Sequence, residues 1–252
     1  MIILVLGILY IGISPKVFSE EPDPEELEKK HLVYVEPTHI SETKVDGEAI
    51  LEPYLKRRPE WGLTFAAGYS TYEPVHMQPS FSNQDYKAVY GTPSIGMFEG
   101  RVGLKKNFSG GSFGGELSVG GFQNDNSNVN FVGSVLNIIP IAVGATYYLD
   151  ALEPDPFYVP YVSGGAYVMI WKETLGQNTV NGSTQVAPYI NAGVAFSLDW
   201  IDHRAARISY EDSGIESSSV YIEARKYFAS FAKKDPDFSN DISGDIGLRI
   251  EF

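Results

Sequence analysis

The sequence predicts an all-β protein: an eight-stranded antiparallel up-and-down transmembrane β-barrel with an N-terminal periplasmic extension. Three observations lead there. From Trp61 onward the chain runs in segments of 10–15 residues divided by Gly, Asn, Asp, Pro and Ser clusters. Ordinary soluble strands have ~5–6 residues, whereas a tilted bilayer-crossing strand needs ~9–11. Within the segments apolar and polar residues alternate with period two. The polar faces combine charges of both signs with Gly, Ser and Ala, the small residues that a narrow eight-stranded interior requires.

The predicted strands are Trp61–Tyr72, Ile95–Lys106, Gly114–Gln123, Ile138–Leu149, Tyr158–Trp171, Gln185–Asp199, Ser219–Ala229 and Ile242–Phe252. In the last, Ile246, Leu248, Ile250 and Phe252 share one face, opposite Asp245, Gly247, Arg249 and Glu251. In the seventh, Val220, Ile222 and Ala224 oppose Tyr221, Glu223 and Arg225. In the second, Phe98, Val102 and Leu104 oppose Glu99, Arg101 and Lys105. In the third, Leu117 and Val119 oppose Glu116 and Ser118, and in the sixth Ile190, Ala192 and Val194 oppose Asn191, Gly193 and Ala195. A soluble sandwich has the same period with its apolar face turned inward; strand length and the mixed-sign charges point to the membrane orientation instead. The expected lumen network is then Glu99, Arg101, Glu116, Glu223, Arg225, Asp245, Arg249 and Glu251. Aromatic girdles are expected from Trp61, Tyr69, Tyr72, Phe108, Tyr147, Tyr148, Tyr158, Trp171, Trp200, Tyr227 and Phe228.

Ahead of the barrel, Ile2 to Ile13 is an apolar run too short to span a bilayer as a helix. Val17-Phe18-Ser19 follows in the place of a signal-peptidase site, although no basic residue precedes the run. Residues 1–19 are expected to be a signal peptide. Residues 20–60 hold twelve acids against six Lys and Arg and read as an acidic, largely flexible periplasmic leader. Lys56-Arg57-Arg58-Pro59 is its last linker, and the whole serves as a spacer, a lumen plug or a docking arm. The barrel proper spans 61–252.

The net charge of −13 disfavours nucleic acid as a partner. The absence of Cys removes disulfides, thiolate metal sites and cysteine nucleophiles. Catalysis, cofactor binding and metal binding are not expected. His31 and His39 fall in the leader and His203 in a turn, which leaves His76, near Ser80 and Ser82, as the one base a hydrolase could use. No His or carboxylate cluster has metal-ligand spacing. Gly110 to Gly115 lacks the Lys of a phosphate loop, and Asn124 to Asn128 lacks the distant Glu of a calcium loop.

The C-terminal run Gly247-Leu248-Arg249-Ile250-Glu251-Phe252 resembles the assembly signal of small outer-membrane barrels of the OmpA and OmpW type. Pro160-Tyr161-Val162-Ser163-Gly164-Gly165-Ala166-Tyr167 resembles a strand of the same superfamily. The resemblance implies location in a bacterial outer membrane and recognition of Ile246, Leu248, Ile250 and Phe252 by the barrel-assembly machinery. It also implies contact with outer-membrane lipid and lipopolysaccharide, and carries over no catalytic residue. The expected role is structural or interactive at the cell surface. A narrow conduit for small or hydrophobic molecules, and a soluble lipocalin-like binding barrel, are the alternatives. With a periplasmic N-terminus, Glu73–Ser94, Asn124–Asn137, Lys172–Thr184 and Ser230–Asp241 face outward. The long connection Trp200–Ser218 faces the periplasm and has room for a short helix over Ile201–Glu211.

Overall fold

The computed structural model describes residues 51–93, 96–125, 131–232 and 234–252. The expected signal peptide, residues 20–50 of the leader and most of the Asn-rich loop lie outside the described residues.

Strand β1 (Trp61–Ser70) pairs with β2 (Met97–Phe108), β2 with β3 (Gly111–Asn124), β3 with β4 (Ser134–Tyr148) and β4 with β5 (Tyr158–Leu175). The far end of β5 forms a hairpin with β6 (Asn178–Ser183), while its near part pairs with β7 (Ala187–Ser197). Strand β7 pairs with β8 (Ser217–Tyr227), β8 with β9 (Ser243–Glu251), and β9 returns to β1. Every pairing is antiparallel, so the ring closes on itself and leaves no edge for another chain to template. Among the described residues nine strands fill eight positions, because β6 and β7 occupy one position in succession. They are separated at Thr184, which donates its N–H to the Met169 carbonyl and accepts the Met169 N–H on Oγ1. The segment Lys172–Thr184 was expected to be a loop; the tight turn at Gly176 (φ 59°) lets the ladder continue instead.

Alternation sets the orientation. Phe98, Leu104, Leu117, Val143, Ile190 and Leu248 all point outward and are about half exposed, while Glu99, Arg101, Glu223, Arg225 and Asp245 are buried in the lumen. Fully burying an apolar side chain of this size is worth about 1.5–3 kcal/mol, so leaving these six half exposed in water forfeits an amount comparable to the ~5–15 kcal/mol net stability of a typical soluble domain. The outer surface is therefore that of a membrane-spanning barrel, and the soluble lipocalin-like reading, which needs those residues inside, fails. No described helix is long and apolar enough to cross a membrane.

Four of the expected girdle residues are elsewhere. Tyr72, Tyr148, Trp171 and Tyr227 are buried inside the barrel. Tyr148, Trp171 and Tyr227 fall on the inward phase of their strands, which strand-end position alone does not reveal, and Tyr72 folds in from the loop after β1. Trp61, Tyr69, Phe108, Tyr158, Trp200 and Phe228 do face outward.

Among the described residues three short helices join the ends. Helix α1 (Tyr54–Arg57) precedes β1, α2 (Tyr86–Tyr90) lies in the loop after β1, and α3 (His203–Ser213) lies between β7 and β8. The tetrapeptide expected to be a linker thus forms α1 and its exit, against the mouth of the barrel.

Interior space is tightly allotted. Gly68 and Gly247 face each other on β1 and β9, and a Cβ at either would collide with the Tyr221 hydroxyl. Gly121 by contrast opens onto free space. Gly247→Val is expected to lower barrel stability by about 1–3 kcal/mol through overpacking, whereas Gly121→Ala leaves it unchanged; urea titration of the refolded barrel measures both.

Candidate functional site: a lumen filled from end to end

Three tiers of side chains fill the lumen. The middle tier is built on Glu223 of β8. Its carboxylate accepts two bonds from Arg101 of β2 (2.9 and 2.6 Å), one from Arg225 Nη2 (2.6 Å), one from the Tyr161 hydroxyl (2.7 Å) and one from Asn191 Nδ2 (3.1 Å). Arg225 also donates to Glu99 Oε2 (2.6 Å) and to the Tyr227 hydroxyl (2.8 Å), and Arg101 Nε pairs with Glu99. Charge-assisted, bidentate bonds of this kind are the strong ones. Asp245 approaches Arg225 Nε to 3.2 Å and Arg101 Nη2 to 3.8 Å without accepting an aligned hydrogen bond, so its contribution is Coulombic. The gap left beside Gly68, Glu99, Arg101, Tyr221, Arg225 and Asp245 is too small to hold a water.

Arg249 and Glu116 stand apart from that cluster. The guanidinium of Arg249 lies over the rings of Tyr161 (4.7 Å), Tyr148 (5.1 Å) and Tyr221 (5.3 Å). Its Nε and Nη2 have no hydrogen-bond partner; the tyrosine faces supply the stabilisation. Glu116 is on the lumen face but makes no ion pair among the described residues. Glu251 belongs to a different tier, at the end where the two ends of the barrel sheet meet.

That terminal tier was not anticipated. Tyr54 of α1 enters the barrel mouth and is 5% exposed. Its hydroxyl donates to Glu251 (3.0 Å) and accepts from Lys105 Nζ (2.7 Å), and Lys105 in turn pairs with Glu251 (2.8 Å) and Asp150 (3.2 Å). Arg58 pairs with Asp150 (2.8 Å) and donates to the Phe108 carbonyl (2.6 Å). Arg57 reaches Asp199 (3.2 Å) and the Glu216 carbonyl (2.6 Å). A small cleft remains beside Tyr54, lined by Lys105, Asp150, Asp199, Arg249 and Glu251 among others. A Tyr in an acidic leader carries no sequence signal of insertion; the run Lys56-Arg57-Arg58 facing strand-end acids was the one trace.

The third tier, at the loop end, is apolar and aromatic. Tyr72, Met77, Tyr86, Val89 and Tyr90 of the first long loop fold in over Phe122, Leu136, Ile138, Met169 and Trp171, which point inward from the strands. The tyrosine hydroxyls are paired, whereas the Trp171 indole N–H has no hydrogen-bond partner among the described residues. Tyr90 donates to Glu173 (2.6 Å), Tyr86 accepts from Asn124 (2.7 Å), and Tyr72 donates to the Phe238 carbonyl (2.8 Å). Burial pushes the Tyr86 and Tyr90 phenols well above their ordinary range, so both remain neutral. The expectation of a uniformly polar lumen is thus corrected at this end, where the cap needs apolar partners.

The expected assembly-signal residues Ile246, Leu248, Ile250 and Phe252 all point outward. Phe252 lies edge-on to Phe65 (5.9 Å). His76 pairs with Asp241 (3.2 Å), both at the surface, and neither Ser80 nor Ser82 offers its hydroxyl to it. No group of three or more potential metal ligands occurs among the described residues.

No protein-family model matches the sequence, and comparison with curated proteins finds no match. Solved structures similar in fold include Neisserial surface protein A, 9% identical over 77% of this chain and 96% of that one, with a TM-score of 0.40. The outer membrane protein OprG from Pseudomonas aeruginosa is 11% identical over 77% of this chain and 97% of its own, with a TM-score of 0.42. The outer membrane enzyme PagL is 12% identical over 76% and 98%, with a TM-score of 0.33. At this distance no role passes from them to this chain. The closed ladder and apolar exterior establish the barrel without them.

Two outcomes follow. Glu223→Ala strands Arg101 and Arg225 in a dry interior and is expected to cost about 3–5 kcal/mol, read as a lowered urea midpoint for the folded barrel. Glu216, beside Arg57, is raised from an ordinary 4.5 to about 7 by burial, which Arg57 only partly offsets. The folded state therefore binds its proton more tightly than the unfolded chain. Its stabilising contribution is full below about pH 4 and is lost as pH rises through 7. Thermal melts of the wild type are expected to fall between pH 5 and pH 8, and Glu216→Gln should flatten that dependence.

Proposed function

We propose that the protein is an integral barrel of a bacterial outer membrane, with its chain ends in the periplasm and its long loops at the cell surface, and that its role is structural or interactive. The observation that carries the reading is the combination of an apolar belt with a lumen closed at three levels. A conduit needs a continuous polar path, and eight strands leave little room for one. Here Tyr54 and its ion pairs occupy one mouth, paired Arg and Glu the middle, and the Tyr- and Met-rich cap the other.

Catalysis has no support in the loops. The pair His76–Asp241 is exposed, and a hydrolase needs a nucleophile in hydrogen-bond reach of its base. The surfaces left for interaction are the outward loops, where Val132, Val186, Phe231 and Ile242 are strongly exposed. The outward stripe Ile246, Leu248, Ile250 and Phe252 is proposed as the element read by the barrel-assembly machinery. The belt is proposed to meet outer-membrane phospholipid and lipopolysaccharide.

Fractionation followed by SDS gels of unheated and boiled samples tests the placement. Sedimentation with outer membranes and a mobility shift on boiling are expected; a soluble protein without a shift overturns it. Planar-bilayer recording tests the closed lumen. A silent barrel is expected, and steady single-channel conductance in the wild type would instead favour the conduit.

A further inference from the structure

The connection between β7 and β8 is long for the chain-end side of a barrel, where short turns are the rule, and it is built rather than slack. Asp202 caps α3 by accepting the Ala205 N–H (2.9 Å). At the other end Gly214 takes φ 67°, and the N–H of Ile215 returns to the Ser209 carbonyl (3.2 Å), a paired closure typical of a fixed helix end. Ala206 and Ser209 turn toward Leu198 and Ser218 at the barrel's rim. Elsewhere on the segment Ile201 (65% exposed), just before the cap, and Ile208 (44%), on the helix, face water, with exposed Arg204 between them in sequence.

This stripe is continuous with the membrane belt. Outward-facing Phe196 of β7 packs on Phe157 (6.0 Å), and Phe157 meets Trp200 edge-on (4.9 Å, 81°). Trp200, Ile201 and Ile208 therefore extend the lipid-facing surface beyond the strand ends. Ile208 on the capped helix and Ile201 just before its cap are held open to water, and Trp200 stays half exposed beside Phe157. A Trp at an apolar–aqueous boundary, with an Arg positioned to reach phosphates, matches an interfacial segment.

Given the membrane-barrel reading, on which this rests, we infer that α3 and the turn before it form an interfacial anchor: the segment lies along the headgroup layer of the chain-end leaflet, inserting Trp200 and Ile201 of the turn and Ile208 of the helix among phospholipid chains while Arg204 meets the phosphates. The partner is phospholipid itself. The anchor fixes how deep the barrel sits at that end, a constraint that strand hydrophobicity alone leaves loose.

The protein carries three Trp, and their places make the test internal. Trp61 lies on the belt at the same end (53% exposed), Trp200 on the segment (52%), and Trp171 inside the lumen (8%). Single-Trp forms, made by Trp→Phe replacement of the other two, are refolded into phosphatidylcholine vesicles whose chains are brominated close to the headgroup. Trp200 and Trp61 emission is expected to fall about twofold, as for residues at the interface, while Trp171 keeps its intensity. Ile201→Asp with Ile208→Asp, in the Trp200-only form, is expected to restore the emission while the heat-dependent gel shift persists. Quenching of Trp61 without quenching of Trp200 overturns the anchor and leaves the barrel reading intact. Quenching of neither overturns both.

Discussion

The carboxylate of Glu223 is the point on which the interior depends. It accepts hydrogen bonds from side chains on four strands, Arg101 on β2, Tyr161 on β5, Asn191 on β7 and Arg225 on its own β8, and so ties together parts of the ring that backbone pairing does not join directly. A charge buried in this way is tolerable only when its partners are present and aligned. Satisfying Glu223 requires Arg101 and Arg225, and these in turn require Glu99. The requirement for room follows. Tyr221 lies beside Arg101 and Arg249, and its ring fits because Gly68 and Gly247 carry no side chain against it.

The two ends are closed by different chemistry, for a physical reason. At the chain ends the strands finish with Lys105, Asp150 and Glu251, so the entering segment must bring polar atoms, and α1 supplies a phenol and two guanidiniums. At the loop end the inward positions are Phe122, Leu136, Ile138, Met169 and Trp171, and the matching cap is a loop rich in Tyr and Met. Each plug complements the rim that it covers. The barrel therefore resembles a soluble core in its filling and differs from one in its exterior.

Legibility in the sequence followed periodicity. Glu99, Arg101, Glu223, Arg225 and Asp245 could be placed on one interior face because each alternates with residues that want lipid. Arg249 and Glu251 share a face and a strand, yet the first is held by tyrosine rings and the second by Lys105 and Tyr54, since the distance along the barrel axis decides which partners are in reach. Trp171 and Tyr227 show the other limit. An aromatic near a strand end suits a girdle or a plugged lumen equally well until the phase of its strand is known.

The sequence by itself determined eight strand positions and which residues share a face, because a period-two pattern is a local property that survives without knowledge of neighbours, and strand length with mixed-sign charges pointed the apolar face to lipid. It also held the material of the charge network. Only the tertiary structure decided which charges pair across the lumen, that Tyr54 enters one mouth and Tyr86 and Tyr90 the other, and that β6 continues the wall where a loop was expected. Those contacts join residues far apart in the chain, 197 positions for Tyr54 and Glu251, and they exist only once ring closure has brought the strands to a common radius.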